Sequence, residues 1–220
     1  MISCYPIGDG CLCWSFGETI DEELVRKTLF IYKKFKKMDL LEKWGIHDIV
    51  PSYKSIAFHF APSKEGLEKM ERELDSAIRD YWTRLEQEKT IPSLEGKKII
   101  FPVVYDGEDL KDVARHCRMS KEEVIRLHCE GRYMVAMVGF KPYFPYLLGL
   151  NPLLETPRLE TPRTRIPAGA VAIGGGQTGV YPEESPGGWN LIGRTDPELL
   201  KQVEPGDIII MKNVENLNED

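Results

Sequence analysis

No apolar run in the 220 residues approaches the ~18–20 that a membrane-spanning helix requires, so no span is expected. Residues 1–20 carry Asp9 and Glu18 and no basic cluster, so they do not read as a secretory leader, and the expected location is the cytoplasm. Basic residues are in deficit: 29 Lys and Arg stand against 35 Asp and Glu, a formal net charge of -6. That excludes a sequence-independent nucleic-acid binder, which needs a basic face to neutralise phosphates. A local basic pocket for an anion remains compatible with it. Cysteine is sparse and odd in number, five, without framework spacing, and the thiols read as reduced and buried. Histidine is scarcer still. His116-Cys117 and His128-Cys129 are the nearest approach to a metal set, but they match no ligand spacing, so no metal site is expected.

Glycine and proline are present in ordinary amounts but unevenly placed. Ten of 15 prolines and 11 of 19 glycines fall between Gly139 and Gly206. Each proline removes a backbone donor and each glycine permits positive φ, so the window reads as short strands separated by turns. Val171, Ile173, Trp189, Leu191 and Ile192 supply apolar strand residues that a linker lacks.

Upstream, the pattern is different. Ile2–Pro6 and Cys11–Phe16 read as strands joined at Gly8-Asp9-Gly10. Thr19 and Glu22 have capping-box spacing, which predicts a helix from near Ile20 with a stripe of Leu24, Thr28, Ile31, Phe35 and Met38. Ile56, Phe58 and Phe60 alternate as in a half-buried strand. Ser63 is placed to cap a long helix whose apolar face is Leu67, Met70, Leu74, Ile78, Tyr81 and Leu85. A strand near Lys98–Tyr105, a short helix over Asp109–Cys117, a capping box at Ser120–Glu123, a buried strand over Tyr133–Phe140 and a last strand at Ile208–Met211 complete the reading. The fold class is α+β, with a small α/β domain over residues 1–94 and a second domain over 95–220 whose short strands suit a compact β-barrel or sandwich.

The densest cluster of chemistry-bearing residues is Gly174, Gly175, Gly176, Gln177, Thr178 and Tyr181, followed by Ser185 and Arg194. Consecutive glycines let a backbone approach a ligand with its amides exposed, and an arginine clamps a carboxylate or phosphate by two parallel bonds. No lysine stands where a P-loop needs one. The same residues equally suit a set of tight β-turns around Trp189, and residue types alone do not choose. Arg158, Arg163 and Arg165 form a second cluster, readable as an anion rim or as surface ion pairs, with pairing favoured for Arg158. His128, just before a strand that enters this region, is a candidate general base or anion ligand.

The run from Ile166 to Thr195 resembles the signature of the allophanate hydrolase subunit 1 family, which includes the B subunits of bacterial 5-oxoprolinases, the Kip kinase inhibitor and half of the urea carboxylase carboxyltransferase region. The resemblance extends through Gly8-Asp9, through Gly45-Ile46 and Val50–Ser55, which are similar to the family's loop before the third strand, and through Glu122–His128, Tyr133–Val135, Gly139-Phe140, Phe144–Leu147, Pro162-Arg163 and Pro205–Asp207. One departure stands out: Tyr143 occupies a position where the family usually has glycine. The resemblance implies that the second domain, residues 95–220, is a cyclophilin-like β-barrel. It also implies a non-autonomous member of an ATP-dependent 5-oxoprolinase complex, which opens 5-oxo-L-proline to L-glutamate with partner proteins of the A and C types. ATP and its divalent metal would be bound by the whole complex, with no biotin. The alternative it implies is a regulator that binds a sensor histidine kinase. In the enzyme, His128, Gln177 and Thr178 would be catalytic. Arg163, Gly174, Gly175, Gly176, Tyr181, Ser185 and Arg194 would bind substrate, and Pro167, Gly169, Gly187, Gly188 and Trp189 would shape the turns.

Overall fold

The computed structural model describes residues 2–61, 67–88, 93–94 and 96–217, with Leu41 and Leu67 described by backbone alone. Ser63, the expected cap, lies outside these residues. The chain divides into two units, Met1–Leu94 and Glu95–Asp220.

In the first unit, β1 (Ser3–Pro6), β2 (Cys11–Ser15), β3 (Ile46–Pro51) and β4 (Ser55–Phe60) form an antiparallel sheet in the order β1-β2-β4-β3. The helices are α1 (Glu22–Lys36), α2 (Leu40–Trp44) and α3 (Leu67–Glu88). Register places Leu12 beside Phe58 and Trp14 beside Ile56, so these four side chains share one face. Phe35 of α1 meets Phe58 edge-on with ring centroids 5.2 Å apart, and Trp14 donates from Nε1 to Asp75 of α3 at 3.0 Å. The periodic face of α3 holds, with Met70, Leu74, Ile78 and Leu85 buried.

Three expectations are corrected. Asp21, not Thr19, caps α1, its carboxylate accepting from Leu24 N–H at 2.8 Å; an aspartate one residue before two glutamates outcompetes the more distant threonine. The buried stripe is Val25, Thr28, Leu29, Ile31, Tyr32 and Phe35; Met38 lies past the helix end and is exposed. The loop expected over Val50–Ser55 is shorter: Val50 and Pro51 end β3, Ser55 begins β4, and only residues 52–54 lie between them. β3 is an edge strand with a register shift between Ile46 and Asp48, and its exposed His47 and Asp48 hide the alternation.

In the second unit, β5 (Lys98–Val103) is followed by α4 (Leu110–Cys117), α5 (Lys121–Glu130), β6 (Tyr133–Val138) and β7 (Pro145–Leu148). Then come β8 (Arg163–Ile166), β9 (Ala170–Gly174), β10 (Gln177–Val180), β11 (Ser185–Gly187), β12 (Asn190–Arg194) and β13 (Ile208–Asn213). Seven strands run in the order β12-β9-β10-β7-β6-β13-β5. Val104 and Arg194 then exchange two backbone hydrogen bonds at 2.9 Å, which nearly closes the sheet into a barrel. β8 and β11 form a separate two-stranded sheet.

The Ser120 capping box is present in full: Glu123 N–H donates to Ser120 Oγ at 3.1 Å, and Ser120 N–H donates to Glu123 at 2.9 Å. The inner faces of the barrel strands contribute Phe101, Val135, Leu147, Val171, Ile173, Val180, Ile192 and Ile209 to a core completed by Val113 of α4 and Val124 of α5. β6 stops at Val138 rather than Phe140, because Phe140 adopts φ 70 and turns outward.

Tyr143 also has positive φ, at 67, and its side chain is exposed. A left-handed conformation costs an L-residue about 1–2 kcal/mol, partly offset on substitution by the greater freedom of glycine in the unfolded chain. Tyr143→Gly is therefore expected to stabilise the protein by about 0.5–1 kcal/mol. A thermal melt would show a raised midpoint; a lowered one would contradict the strain argument.

Candidate functional site

β9 is buried on both faces because its two faces serve two different cores. Val171 and Ile173 point into the barrel, while Ala170 and Ala172 join a second cluster with Phe144, Ile166, Tyr181, Trp189 and Leu191. The pairing of Gly179 with Ala172 and Tyr146 puts all three on this outer face. Small residues here make room for rings. A Cβ on Gly174 would lie 2.5 Å from the Trp189 ring, and one on Gly179 would lie 3.0 Å from it. A Cβ on Gly187 would overlap the Tyr181 hydroxyl.

Phe144 sits at the centre of this cluster, with ring centroids 5.3 Å from Tyr181, 5.8 Å from Trp189, 5.0 Å from Tyr146 and 5.7 Å from Phe140. Its contacts with Phe140, Tyr181 and Trp189 are edge-to-face, an arrangement that ring quadrupoles favour. Above the rings opens a cavity of about 320 Å³ lined also by Pro162, Pro186, Gly188 and Arg158. The Arg158 guanidinium lies over Trp189, 5.8 Å from the ring centroid. Burial raises the pKa values of the Tyr146 and Tyr181 phenols, and the positive charge of Arg158 works against both shifts.

This pocket gathers five of the residues singled out from the sequence: Arg158, Tyr181, Gly187, Gly188 and Trp189. The others lie elsewhere. Gly174 pairs with Gln177 across a hairpin whose turn is Gly175-Gly176, with Gly175 at φ 64. Gly175 N–H donates to Thr156 O at 2.7 Å, so the glycine run is a turn and a packing site rather than an open amide cradle, and it does not fit a phosphate. Among the described residues no group of three or more His, Cys, Asp or Glu could hold a metal ion. Pro167 and Gly169 form the turn into β9. Ser185 Oγ is buried without a partner among the described residues.

The two arginines expected to bind substrate are engaged by carboxylates. Arg163 pairs with Glu108 at 2.8 Å and Asp109 at 2.7 Å, and Arg194 pairs with Asp106 at 2.8 Å. Arg165 is held by Glu184 at 2.6 Å. Arg158, for which surface pairing was favoured, has no carboxylate within ion-pair distance among the described residues.

His128 and Thr178, expected at a working surface, are sealed inside the barrel. Thr178 spends its one hydroxyl proton on Ala172 O at 2.9 Å, so its oxygen accepts from His128 Nε2–H at 3.0 Å. Nδ1 then accepts from the Tyr105 hydroxyl at 2.7 Å. The imidazole is neutral, and burial pushes its pKa down to about 3. A base in this setting has no access to a ligand in the aromatic pocket. The residues that sequence reasoning missed are Phe140, Phe144 and Tyr146; the alternation of the last two across Pro145 was the available signal.

Residues 2–206 match the family described as carboxyltransferase domain, subdomains C and D. The chain belongs to this family. It is 49% identical over 130 residues to a Haemophilus influenzae protein named as the B subunit of 5-oxoprolinase, an alignment covering 56% of this chain and 61% of that one. Identity to the Bacillus subtilis protein of the same name is 34% over 204 residues, covering 90% and 84%. In structure it resembles the protein TTHA0988, with a TM-score of 0.75 and 33% identity over 98% of this chain and 41% of that one. The chain thus spans less than two thirds of the length of the Haemophilus protein and of TTHA0988. The resemblance drawn from Ile166–Thr195 is upheld. No helix among the described residues is long and apolar enough to cross a membrane.

Proposed function

We propose that this chain is the B subunit of an ATP-dependent 5-oxoprolinase, working with partner proteins of the A and C types to open 5-oxo-L-proline to L-glutamate. The observation that carries the reading is the similarity, over nine-tenths of the chain, to a protein bearing that name. In the reaction, water adds across the lactam C–N bond and leaves a free amine and a second carboxylate. ATP, bound by the assembled complex, supplies the activation that a stable amide requires.

This chain's contribution is positional. Its aromatic pocket offers a dry wall for a small ring and a cation at the mouth, the combination that a cyclic amide with a carboxylate needs. Arg163 and Arg194 hold the surrounding strands through their carboxylates, and His128 and Thr178 brace the barrel beneath. Mixing the chain with its partners is expected to give ATP-dependent glutamate release that falls to background when the chain is omitted. Release unchanged by the omission would refute the reading.

A further inference from the structure

Every other arginine on the strands and turns around the pocket, namely Arg163, Arg165 and Arg194, already holds a carboxylate. Arg158 does not. It is exposed, it stands on the aromatic pocket, and its guanidinium rests on the face of Trp189. A guanidinium laid on an indole keeps its outward N–H donors free for an anion, while the ring limits how the side chain can swing. The segment that carries it is anchored on both sides: Thr156 exchanges backbone hydrogen bonds with Gly175, and Leu159 N–H donates to Gly188 O at 2.8 Å. Asn190 adds a bond from its side-chain amide to Pro157 O at 2.9 Å. The cation is therefore placed by a fixed backbone, not by a loose loop.

The walls beneath it are rings and prolines, which pack against a flat apolar body but supply no charge to match an anion. Among the described residues, no acidic side chain lines the cavity. In a protein whose net charge is -6, a guanidinium without a carboxylate partner is a local point of attraction for an anion.

We infer that Arg158 is the specificity-determining residue for the substrate carboxylate, and that the ring of a carboxylated lactam lies against Trp189 and Phe144. This rests on the 5-oxoprolinase reading for the identity of the lactam, but not for the existence of the anion site. A bidentate guanidinium–carboxylate contact is worth about 10- to 100-fold in affinity, and a lysine recovers only the charge and not the fork.

Two measurements test it. In the assembled complex, Arg158→Gln is expected to raise KM for 5-oxo-L-proline about 10- to 100-fold with kcat little changed, and Arg158→Lys to recover part of the loss. Separately, the full chain is titrated with 5-oxo-L-proline and with 2-pyrrolidinone, the same ring without its carboxylate, by ligand-observed NMR. Binding that requires the carboxylate and is lost in Arg158→Gln supports the site, even if the complex proves to hydrolyse some other substrate. Equal binding of the two lactams, unchanged binding in Arg158→Gln, or no binding of either overturns it. A complex that is active on 5-oxo-L-proline with an unaltered KM in Arg158→Gln overturns it while leaving the functional reading intact.

Discussion

Replacing Asp109 with alanine is expected to cost about 3 kcal/mol of folding stability, because it strands a charge and a backbone donor together. One carboxylate oxygen accepts from Arg163 at 2.7 Å and the other from Leu191 N–H at 2.7 Å. Asp109 N–H in turn donates to Leu191 O at 2.9 Å. The residue is buried, so its loss leaves the Leu191 amide without a partner and Arg163 with only the exposed Glu108. Arg163 already has one buried nitrogen, Nη1, with no acceptor among the described residues, so it has little capacity to absorb a second loss. Arg163 begins β8 and Leu191 lies in β12, so the pocket wall should loosen as well. Urea unfolding of Asp109→Ala checks the size of the effect, and Asp109→Asn, which keeps one acceptor, should fall between it and the parent. Equal stability of all three would show that the clip carries no weight.

The second large effect is one of pH. His128 is neutral in the folded protein down to a pKa of about 3, whereas in the unfolded chain it titrates near its ordinary value of 6.5. Between these two values the unfolded chain takes up a proton that the folded chain refuses. The contribution is complete above about pH 6.5 and is lost as pH falls, at up to about 1.4 kcal/mol per unit. From pH 7 to pH 5 this amounts to about 2 kcal/mol. His128→Gln should be destabilised at pH 7, since it disturbs the bonds to Tyr105 and Thr178, but its stability should depend less on pH by about that amount. Urea midpoints for both proteins at the two pH values decide it. Parallel pH dependence would mean that His128 is protonated in the folded state.

The features legible in the sequence were those written in local contacts. The Ser120 box was readable because its two hydrogen bonds join residues three apart. The Ile56, Phe58 and Phe60 alternation was readable because strand geometry alone imposes it. The glycine and proline excess pointed correctly to short strands and turns. What the glycines do was not readable: Gly174 and Gly179 are small because Trp189 lies across them, a fact of register between strands rather than of neighbouring residues. The arginines show the same limit. Arg163 and Arg194 stand in the most suggestive stretch, yet their partners, Asp106, Glu108 and Asp109, come from a segment more than 50 residues earlier. Arg158 looked like an ordinary surface charge because nothing local shows that no acid reaches it. His128 was misplaced for a related reason. Its position on a helix was clear, but which face of that helix enters the barrel depends on how α4 and α5 dock.

The parallel pairing of β5 with β13 joins Ile99 to Ile209 and runs the full length of both strands. β13 also pairs with β6, so among the described residues it is the strand that links β5 to the rest of the sheet, apart from the Val104–Arg194 bridge. During synthesis, β5 leaves the ribosome long before its partner exists, and about 100 residues must follow before it can be sheltered. Until then its apolar edge is an invitation to wrong partners. A nascent chain arrested before Ile208 should therefore be held open and bound by chaperones, and the barrel should appear in a single late step when the last strand arrives.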